Sequence, residues 1–316
     1  MKALVTGGAG FIGSALVRSL IADGWDVLVL DNLSSGNRQN LPPEARYRWF
    51  DLGADDAQYS LPNETFDAVF HLASHVGQEL SFERPVYDLK SNALSTVSLL
   101  NWCAKGACKR FVFASTMNVY GEPAQLPVTE LTPVATPSPY AVAKIASENF
   151  CKVYESFGIE STCLRLFNVY GPGQDMKNMK QGMVSIFMTY MALGKRIVVR
   201  GSGDRFRDFI YVGDVVEAFK AALQPAAVGR TYNVASGKKT TVSELLNQMS
   251  RAFGHAEGTY PVEFREGTPN DQFGVYGDST KLQQELGWRP QVALPEGLDR
   301  MARWARELPP TVFAKV

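Results

Sequence analysis

The chain has 316 residues, 45% hydrophobic and 20% charged, an ordinary globular composition that can bury a sizeable core without staples. Lysine plus arginine and aspartate plus glutamate each total 32, so a general polyanion binder is disfavoured and no nucleic-acid partner is expected; a local arginine pocket stays open. No stretch of about 18 apolar residues suggests a transmembrane helix, and the N-terminus runs into a strand and a glycine turn rather than a signal peptide.

Cys103, Cys108, Cys151 and Cys163 form no C-x-x-C pair, and only three histidines accompany them. They are read as buried free thiols of a reducing compartment, with no metal site. A soluble, cytoplasmic protein is expected.

In chain order, Lys2–Thr6, Asp26–Leu30, Arg46–Phe50, Ala68–Leu72, Arg110–Ala114 and Ser161–Leu166 read as short buried strands. Helix-length patterns at Phe11–Asp23, Pro85–Lys105 and Tyr140–Phe157 lie between them. Strand–helix alternation predicts an α/β fold, a Rossmann-type doubly wound parallel sheet covered on both faces. After about Asn168 the rhythm is less regular. Helices are predicted at Met183–Leu193, Asp214–Leu223, Val242–Phe253, Ser279–Leu286 and Leu294–Arg306. Strands are predicted at Ile197–Val199, Asp208–Tyr211, Thr231–Val234 and Val262–Arg265. The expected division is a dinucleotide-binding domain of residues 1–168 with about 207–234, and a smaller α/β substrate lobe of 169–206 and 235–316. The loop Glu122–Pro139 holds five prolines and reads equally as an active-site border or a surface loop.

Thr6-Gly7-Gly8-Ala9-Gly10-Phe11-Ile12-Gly13 follows the first strand and opens the first helix. Glycine admits close approach of backbone to a ligand, and a helix N-terminus offers free N–H groups to a pyrophosphate. The strand-before, helix-after context makes this glycine turn a dinucleotide site. Asp31, followed by Asn32, ends the second strand; an acid there accepts bonds from ribose hydroxyls and would repel a 2′-phosphate, which favours NAD over NADP. Asp51 and Leu52 end the third strand and are candidates for the adenine edge, a turn aspartate being an equal reading. Leu72 and Ala73 close the fourth strand near the cofactor's middle. His71, just before them, reads as a packed structural residue.

Tyr140-Ala141-Val142-Ala143-Lys144 is Y-x-x-x-K at a helix start. Residues four apart share a helical face, so phenol and ammonium lie together. A phenol has a pKa near 10; a neighbouring lysine cation and an oxidised nicotinamide are expected to lower it and let Tyr140 act as a base. The strand Arg110–Ala114 leads into Ser115 and Thr116, at the sheet edge where such folds bind ligands. Either hydroxyl could bond the reacting oxygen.

These motifs together resemble the extended short-chain dehydrogenase/reductases of the NAD-dependent nucleotide-sugar epimerase/dehydratase family. The resemblance also rests on Asn92 with Thr96, Arg165–Gly173, Arg207–Asp214 and Leu286–Pro290, and covers nearly the whole chain. It implies that Tyr140 is the acid/base, that Lys144 binds the nicotinamide ribose, that Thr116 contacts the sugar 4-hydroxyl with Ser115 beside it, and that Asn92 lies on the cofactor side. It implies substrate-binding roles for Asn118 and Asn168, and a pyrophosphate clamp for Arg207 and Arg265, to which a planar guanidinium is suited. The related 4,6-dehydratases carry an Asp-Glu pair after the threonine. Here Met117 and Asn118 stand there, and neither side chain exchanges a proton near neutrality. A 4-epimerase acting on a UDP-hexose through a 4-keto sugar is therefore the best single reading; another nucleotide-sugar enzyme is the alternative.

Lys180-Gln181-Gly182-Met183 departs from the Asn-Asn of the best-known galactose epimerases. Val275 is either a limit on the sugar's 2-substituent or core packing. The family usually forms homodimers through the helices represented here by Ser91–Lys105 and Tyr140–Phe157. Leu99, Leu100, Trp102, Phe150 and Tyr154 would supply that face or pack on the sheet.

Overall fold

The computed structural model describes residues 1–180, 182–267 and 272–313. Lys2–Thr6 (β1) opens on an exposed lysine, runs buried through Ala3–Thr6 and ends where the glycine turn begins, and Phe11–Ala22 (α1) follows. Asp26–Asp31 (β2), Arg46–Trp49 (β3), Ala68–His71 (β4), Arg110–Thr116 (β5) and Glu160–Leu166 (β6) succeed it. Two short helices, Gln78–Glu83 (α2) and Pro85–Leu89 (α3), a π-helical turn at Lys90–Leu94 and Ser95–Trp102 (α4) lie between β4 and β5. Pro139–Tyr154 (α5) lies between β5 and β6.

The remaining strands are Asn168–Tyr170 (β7), Ile197–Arg200 (β8), Phe206–Arg207 (β9), Phe209–Tyr211 (β10), Arg230–Val234 (β11), Thr240–Thr241 (β12) and Val262–Arg265 (β13). The remaining α-helices are Met183–Ala192 (α6), Val212–Ala221 (α7), Val242–Ala252 (α8), Thr280–Leu286 (α9) and Leu294–Glu307 (α10).

Among the described residues, seven strands form one sheet in the order β11-β6-β5-β4-β1-β2-β3, every pairing parallel. This is the Rossmann-type doubly wound fold predicted from the strand–helix rhythm. The order reverses between β1 and β4, and ligand crevices of such sheets open at the carboxyl ends of the strands flanking that reversal.

Two cores cover the sheet's faces. One gathers Val5, Leu16, Val29, Phe70, Val112 and Phe219; the other gathers Leu4, Leu30, Val69, Leu99, Phe111 and all four cysteines, which are free and buried. A third core lies among α6, α8 and α10, built from Met188, Ile197, Leu245, Met249, Leu298 and Met301.

The one long helix expected over Pro85–Lys105 is present: α3, the π-turn, α4 and a second π-helical turn, Cys103–Ala107, follow without a gap, with right-handed helical backbone at each junction. Leu99 and Leu100 are fully buried against the sheet. Trp102 and Tyr154 pack partly on the same core, which leaves Phe150 the exposed member of that predicted face. Val275 is fully buried in the main core, so core packing accounts for it. Gln181 lies outside the described residues.

Candidate active site

The glycine turn is folded tightly onto itself and onto β4. Gly7 has φ +69°, and a Cβ there would lie 2.6 Å from the Ala73 nitrogen. A Cβ at Gly13 would lie 2.1 Å from the Gly7 carbonyl oxygen, so only glycine lets α1 start this close to the turn. Gly10 is the N-cap and carries no side chain to satisfy the first N–H groups of α1, which leaves an anion-binding helix end. Phe11 and Ile12 are half-buried on its first turn.

Asp31 holds this turn from the next strand. Its carboxylate accepts from the backbone N–H of Ala9 at 2.9 Å and of Leu33 at 2.8 Å. Asp31 thus caps a turn, and its carboxylate stands beside the glycine turn. Asn32 caps Ser34 locally at 3.0 Å. Asp51 accepts from the Gly53 N–H at 2.9 Å, so it shapes its own turn, beside buried Leu52. Leu72 and Ala73 donate backbone N–H groups to the Thr6 carbonyl at 3.1 Å and the Thr6 hydroxyl at 3.2 Å.

His71 is fully buried. Its Nδ1 faces the Thr6 hydroxyl at 2.7 Å and its Nε2 the Thr96 hydroxyl at 3.1 Å. Thr96 donates to the Asn92 carbonyl at 2.7 Å, which assigns the ring proton to Nε2. Burial, with a smaller contribution from the Lys144 charge, holds this imidazole down to about 3. It is a neutral strut, as its place in the sequence suggested.

Ser138 caps α5 by accepting from the Ala141 N–H at 3.3 Å, and Pro139 occupies its first turn. That combination starts the helix sharply and places Tyr140 at the sheet edge. The Thr116 and Ser74 hydroxyls both favour the charged form of the Tyr140 phenol. Lys144, one turn on, is buried and donates from Nζ to the Ala114 carbonyl at 2.9 Å; Nζ stands 5.7 Å from the Tyr140 ring centre.

Lys144 was expected to lower the phenol's pKa; the structure shows a different balance among the chain's own groups. Burial pushes Tyr140 up to about 12, the Thr116 hydroxyl pulls it back, the Asp88 carboxylate pushes it further up and the Ser74 hydroxyl again pulls it down. Burial lowers Lys144 to about 8, opposed by Asp88 and then Glu148.

Ser115 and Thr116 point to opposite faces of β5, as successive strand residues must. The Ser115 hydroxyl donates to Glu148. Arg165 forks onto Glu148 at 3.0 and 2.7 Å and reaches the Tyr120 hydroxyl at 2.9 Å; Tyr120 donates to Asn233 at 2.7 Å. Ser115 thus belongs to a buried strand-bracing network, and of the two only Thr116 bears on the Tyr140 phenol, favouring its charged form.

Asn92 sits in the π-turn and is 1% exposed. Its side-chain amide donates to the His75 carbonyl at 3.1 Å and its Oδ1 accepts from the Ser74 hydroxyl at 2.5 Å. The sequence reading stopped at Ala73 and missed Ser74. It also missed His75 and Asp88, whose Nδ1–Oδ1 contact is 3.1 Å. The available signal was their place in the loop and helix just beyond the fourth strand.

Asn118 follows Met117 on a 3-10 turn, its N–H bonded to the Thr116 hydroxyl at 3.2 Å. Asn168 donates to the Asp208 carbonyl at 3.0 Å. Arg207 is half-buried and donates to the Phe206 and Phe273 carbonyls at 2.8 and 3.2 Å; burial, then the Arg205 charge, lowers it to about 10. Arg265 is exposed on β13 and donates from Nε to Glu263 at 2.7 Å; no contact of it with the Tyr140 cluster is seen among the described residues. Asp208 and Asp214 brace loops: Asp208 accepts from Ser236, Gly237 and Gly277, and Asp214 from Gln291 and Val292.

A parallel sheet with a glycine turn at its strand reversal and a Tyr–Lys pair at the adjoining edge defines a dinucleotide-dependent enzyme of the short-chain dehydrogenase/reductase type. Residues 3–235 match the NAD dependent epimerase/dehydratase family, and the chain belongs to that family. It is 38% identical over 305 residues to a putative UDP-glucose 4-epimerase of Methanocaldococcus jannaschii, covering 96% of this chain and 98% of the relative. The fold superposes on a UDP-glucose 4-epimerase of Thermotoga maritima solved with UDP-glucose, with TM-score 0.91, 35% identity and coverage of 97% and 99% of the two chains. It superposes also on the Thermus thermophilus UDP-glucose 4-epimerase solved with NAD, with TM-score 0.87, 36% identity and coverage of 97% and 99%.

Proposed function

We propose that this chain is an NAD-dependent nucleotide-sugar epimerase acting at C4 of a UDP-hexose through a 4-keto sugar. The observation that carries this is the Tyr140–Lys144 pair on α5 beside the carboxyl end of β5, where Lys144 Nζ donates to the Ala114 carbonyl at 2.9 Å, with Met117 and Asn118 following Thr116. That set has one proton-transfer group for an alcohol and, at the two positions after the threonine, no acid to expel water.

The glycine turn fits a dinucleotide, because the space a Cβ would take at Gly7 and Gly13 is already filled by backbone and the α1 end is uncapped by any side chain. Gly7, Gly10, Phe11, Ile12 and Gly13 would hold the pyrophosphate, Asp31 and Asn32 the adenosine ribose, and Asp51 and Leu52 the adenine edge. Leu72, Ala73 and Asn92 would line the middle, and Tyr140 with Lys144 the nicotinamide ribose. NAD, when bound, supplies the hydride acceptor and donor for sugar C4.

Tyr140 takes the C4 hydroxyl proton and later returns it. Thr116 holds that hydroxyl in line. Lys144 keeps a positive charge near the phenol, and burial of both groups keeps water from competing for the proton. Asn118, Asn168, Arg207 and Arg265 would bind the nucleotide sugar. Support for the two arginines differs: Arg207 is half-buried on β9, whereas Arg265 would have to leave Glu263.

We also infer that residues 1–168 with about 207–234 form the NAD-binding domain and the rest the sugar-binding lobe. A homodimer through α4 and α5, and a cytoplasmic location consistent with four free buried thiols, complete the reading. Among the described residues no helix is long and apolar enough to cross a membrane.

The test is incubation with a panel of UDP-, dTDP-, CDP- and GDP-sugars, followed by mass and stereochemical analysis. An isomer of equal mass from a UDP-hexose is expected, with Tyr140→Phe slower by about 10²–10⁴-fold. Loss of water from the product would replace epimerase with dehydratase; consumption of added reduced cofactor would replace it with reductase.

A further inference from the structure

We propose that His75 is a binding residue for a sugar-ring hydroxyl: the buried Asp88 carboxylate fixes its imidazole so that Nε2 is left as a hydrogen-bond acceptor at the ligand edge of the sheet. This rests on the reading of the chain as an NAD-dependent nucleotide-sugar enzyme and adds a residue to its site.

Position comes first. β4 flanks the strand reversal, and ligand crevices of such sheets open at the carboxyl ends of the strands there. β4 ends at His71, and His75 lies in the loop that follows, before α2. Its carbonyl accepts from the Asn92 side-chain amide at 3.1 Å and from the Ser74 hydroxyl at 3.3 Å. The Tyr87 ring of α3 packs nearly perpendicular to the imidazole, with ring centres 5.0 Å apart. Backbone and ring are both held, yet the side chain is not sealed: 16% of it is exposed, whereas that of Asp88 is fully buried.

The pair sets the polarity of the ring. Asp88 Oδ1 stands 3.1 Å from His75 Nδ1. A carboxylate only accepts hydrogen bonds, so the ring proton sits on Nδ1 and a neutral imidazole carries its lone pair on Nε2. Among the described residues Nε2 has no hydrogen-bond partner. The other Asp88 oxygen is buried and has none there either, so the ring is the one group this carboxylate holds. Burying a carboxylate is costly, and an apolar side chain would serve a fold that only had to fill the space.

The other two histidines give the contrast. His71 has both nitrogens engaged, by Thr6 and Thr96. His255 packs on Tyr260, in the segment between α8 and β13. His75 combines a fixed proton with an open nitrogen at the sheet's carboxyl edge. An open acceptor suits a donating hydroxyl, and the ligands of the proposed reaction carry such groups on the riboses of NAD and of the nucleotide and on the hexose. A diphosphate ester has no proton to give at neutral pH and does not fit a neutral Nε2.

The experiment reads the ring nitrogens by NMR in protein carrying isotopically labelled histidine. The chain has three histidines, so His75→Gln identifies the signals. In the ligand-free protein at mildly alkaline pH, His75 is expected in the Nδ1–H tautomer and His71 in the Nε2–H form. Saturating NAD, then UDP, then UDP-glucose in place of UDP, are added in turn. The His75 Nε2 signal should move toward that of a hydrogen-bonded acceptor at one of these steps, while His71 stays. Movement with NAD assigns the hydroxyl to the cofactor, movement with UDP to the nucleotide ribose, and movement with UDP-glucose alone to the hexose. His75→Leu should weaken binding of that ligand by about threefold to tenfold. Asp88→Asn, whose amide can donate to Nδ1 and turn the ring proton to Nε2, should do so by a similar factor. An Nε2–H tautomer in the free protein, or an Nε2 signal unmoved by all three ligands at saturation, overturns the role. Binding heats separate the two claims: heats without movement sink His75 alone, whereas no heat with NAD sinks the dinucleotide reading and His75 with it.

Discussion

At His71 the protein trades acid tolerance for a neutral strut between Thr6 and Thr96. Its folded value of about 3 lies below the ordinary 6.5, so between those values the unfolded chain binds more protons than the native one. Stability is therefore full above about 6.5 and falls as pH drops toward 3. The loss attributable to this ring is about 2 kcal/mol by about pH 5. Urea unfolding at neutral and acid pH should show this drop in wild type and a smaller one in His71→Gln; equal drops in both would assign the acid sensitivity elsewhere. The same balance of burial against partners acts at Tyr140, where the chain's own environment favours the neutral phenol.

Elements carry the geometry that single residues cannot. The β1–α1 junction works because the Gly13 position meets the Gly7 carbonyl within 2.1 Å of any added Cβ. Gly13→Ala must push α1 off the turn, at a cost of about 1–3 kcal/mol, and the same displacement withdraws the helix N–H groups from a pyrophosphate. We expect a lowered Tm together with NAD affinity weakened by at least about tenfold, a loss of roughly 1.4 kcal/mol of binding, read by calorimetric titration. Unchanged NAD binding in a destabilised variant would separate the turn from the cofactor.

Across the whole molecule, α5 buries Tyr140, Lys144 and Cys151 on one side and presents Val142, Phe150 and Val153 to the outside, between 38% and 56% exposed. Spacings of eight and eleven residues keep these three on one helical face, and Phe157 continues the stripe at 64% exposed. If this face pairs with a second copy, Val142→Glu with Phe150→Glu should convert a dimer to a monomer in sedimentation velocity while leaving the Tm within a few degrees. A dimer that survives both charges would place the contact on another face.

The parallel sheet was legible because buried parallel strands are short aliphatic runs ended by Gly or Asp, as at β1 and β2; β5 runs two residues past its predicted end, through Ser115 to Thr116. The Tyr140–Lys144 pair was legible because four residues make one helical turn. The π-turn inside the Pro85–Lys105 helix was not legible, since the Ser147 hydroxyl reaches the Asn92 carbonyl only once α5 packs alongside.

Ser115 and Thr116 are chemically alike in the sequence, and only strand direction and the Glu148–Arg165 pair across the fold separate them. The sequence by itself determined the fold and the side-by-side placement of Tyr140 and Lys144, because local periodicity and helical spacing encode both. Which hydroxyls, carboxylates and struts surround that pair was decided by tertiary structure, because side chains from β4, α3, β5 and α5 converge there from distant positions along the chain.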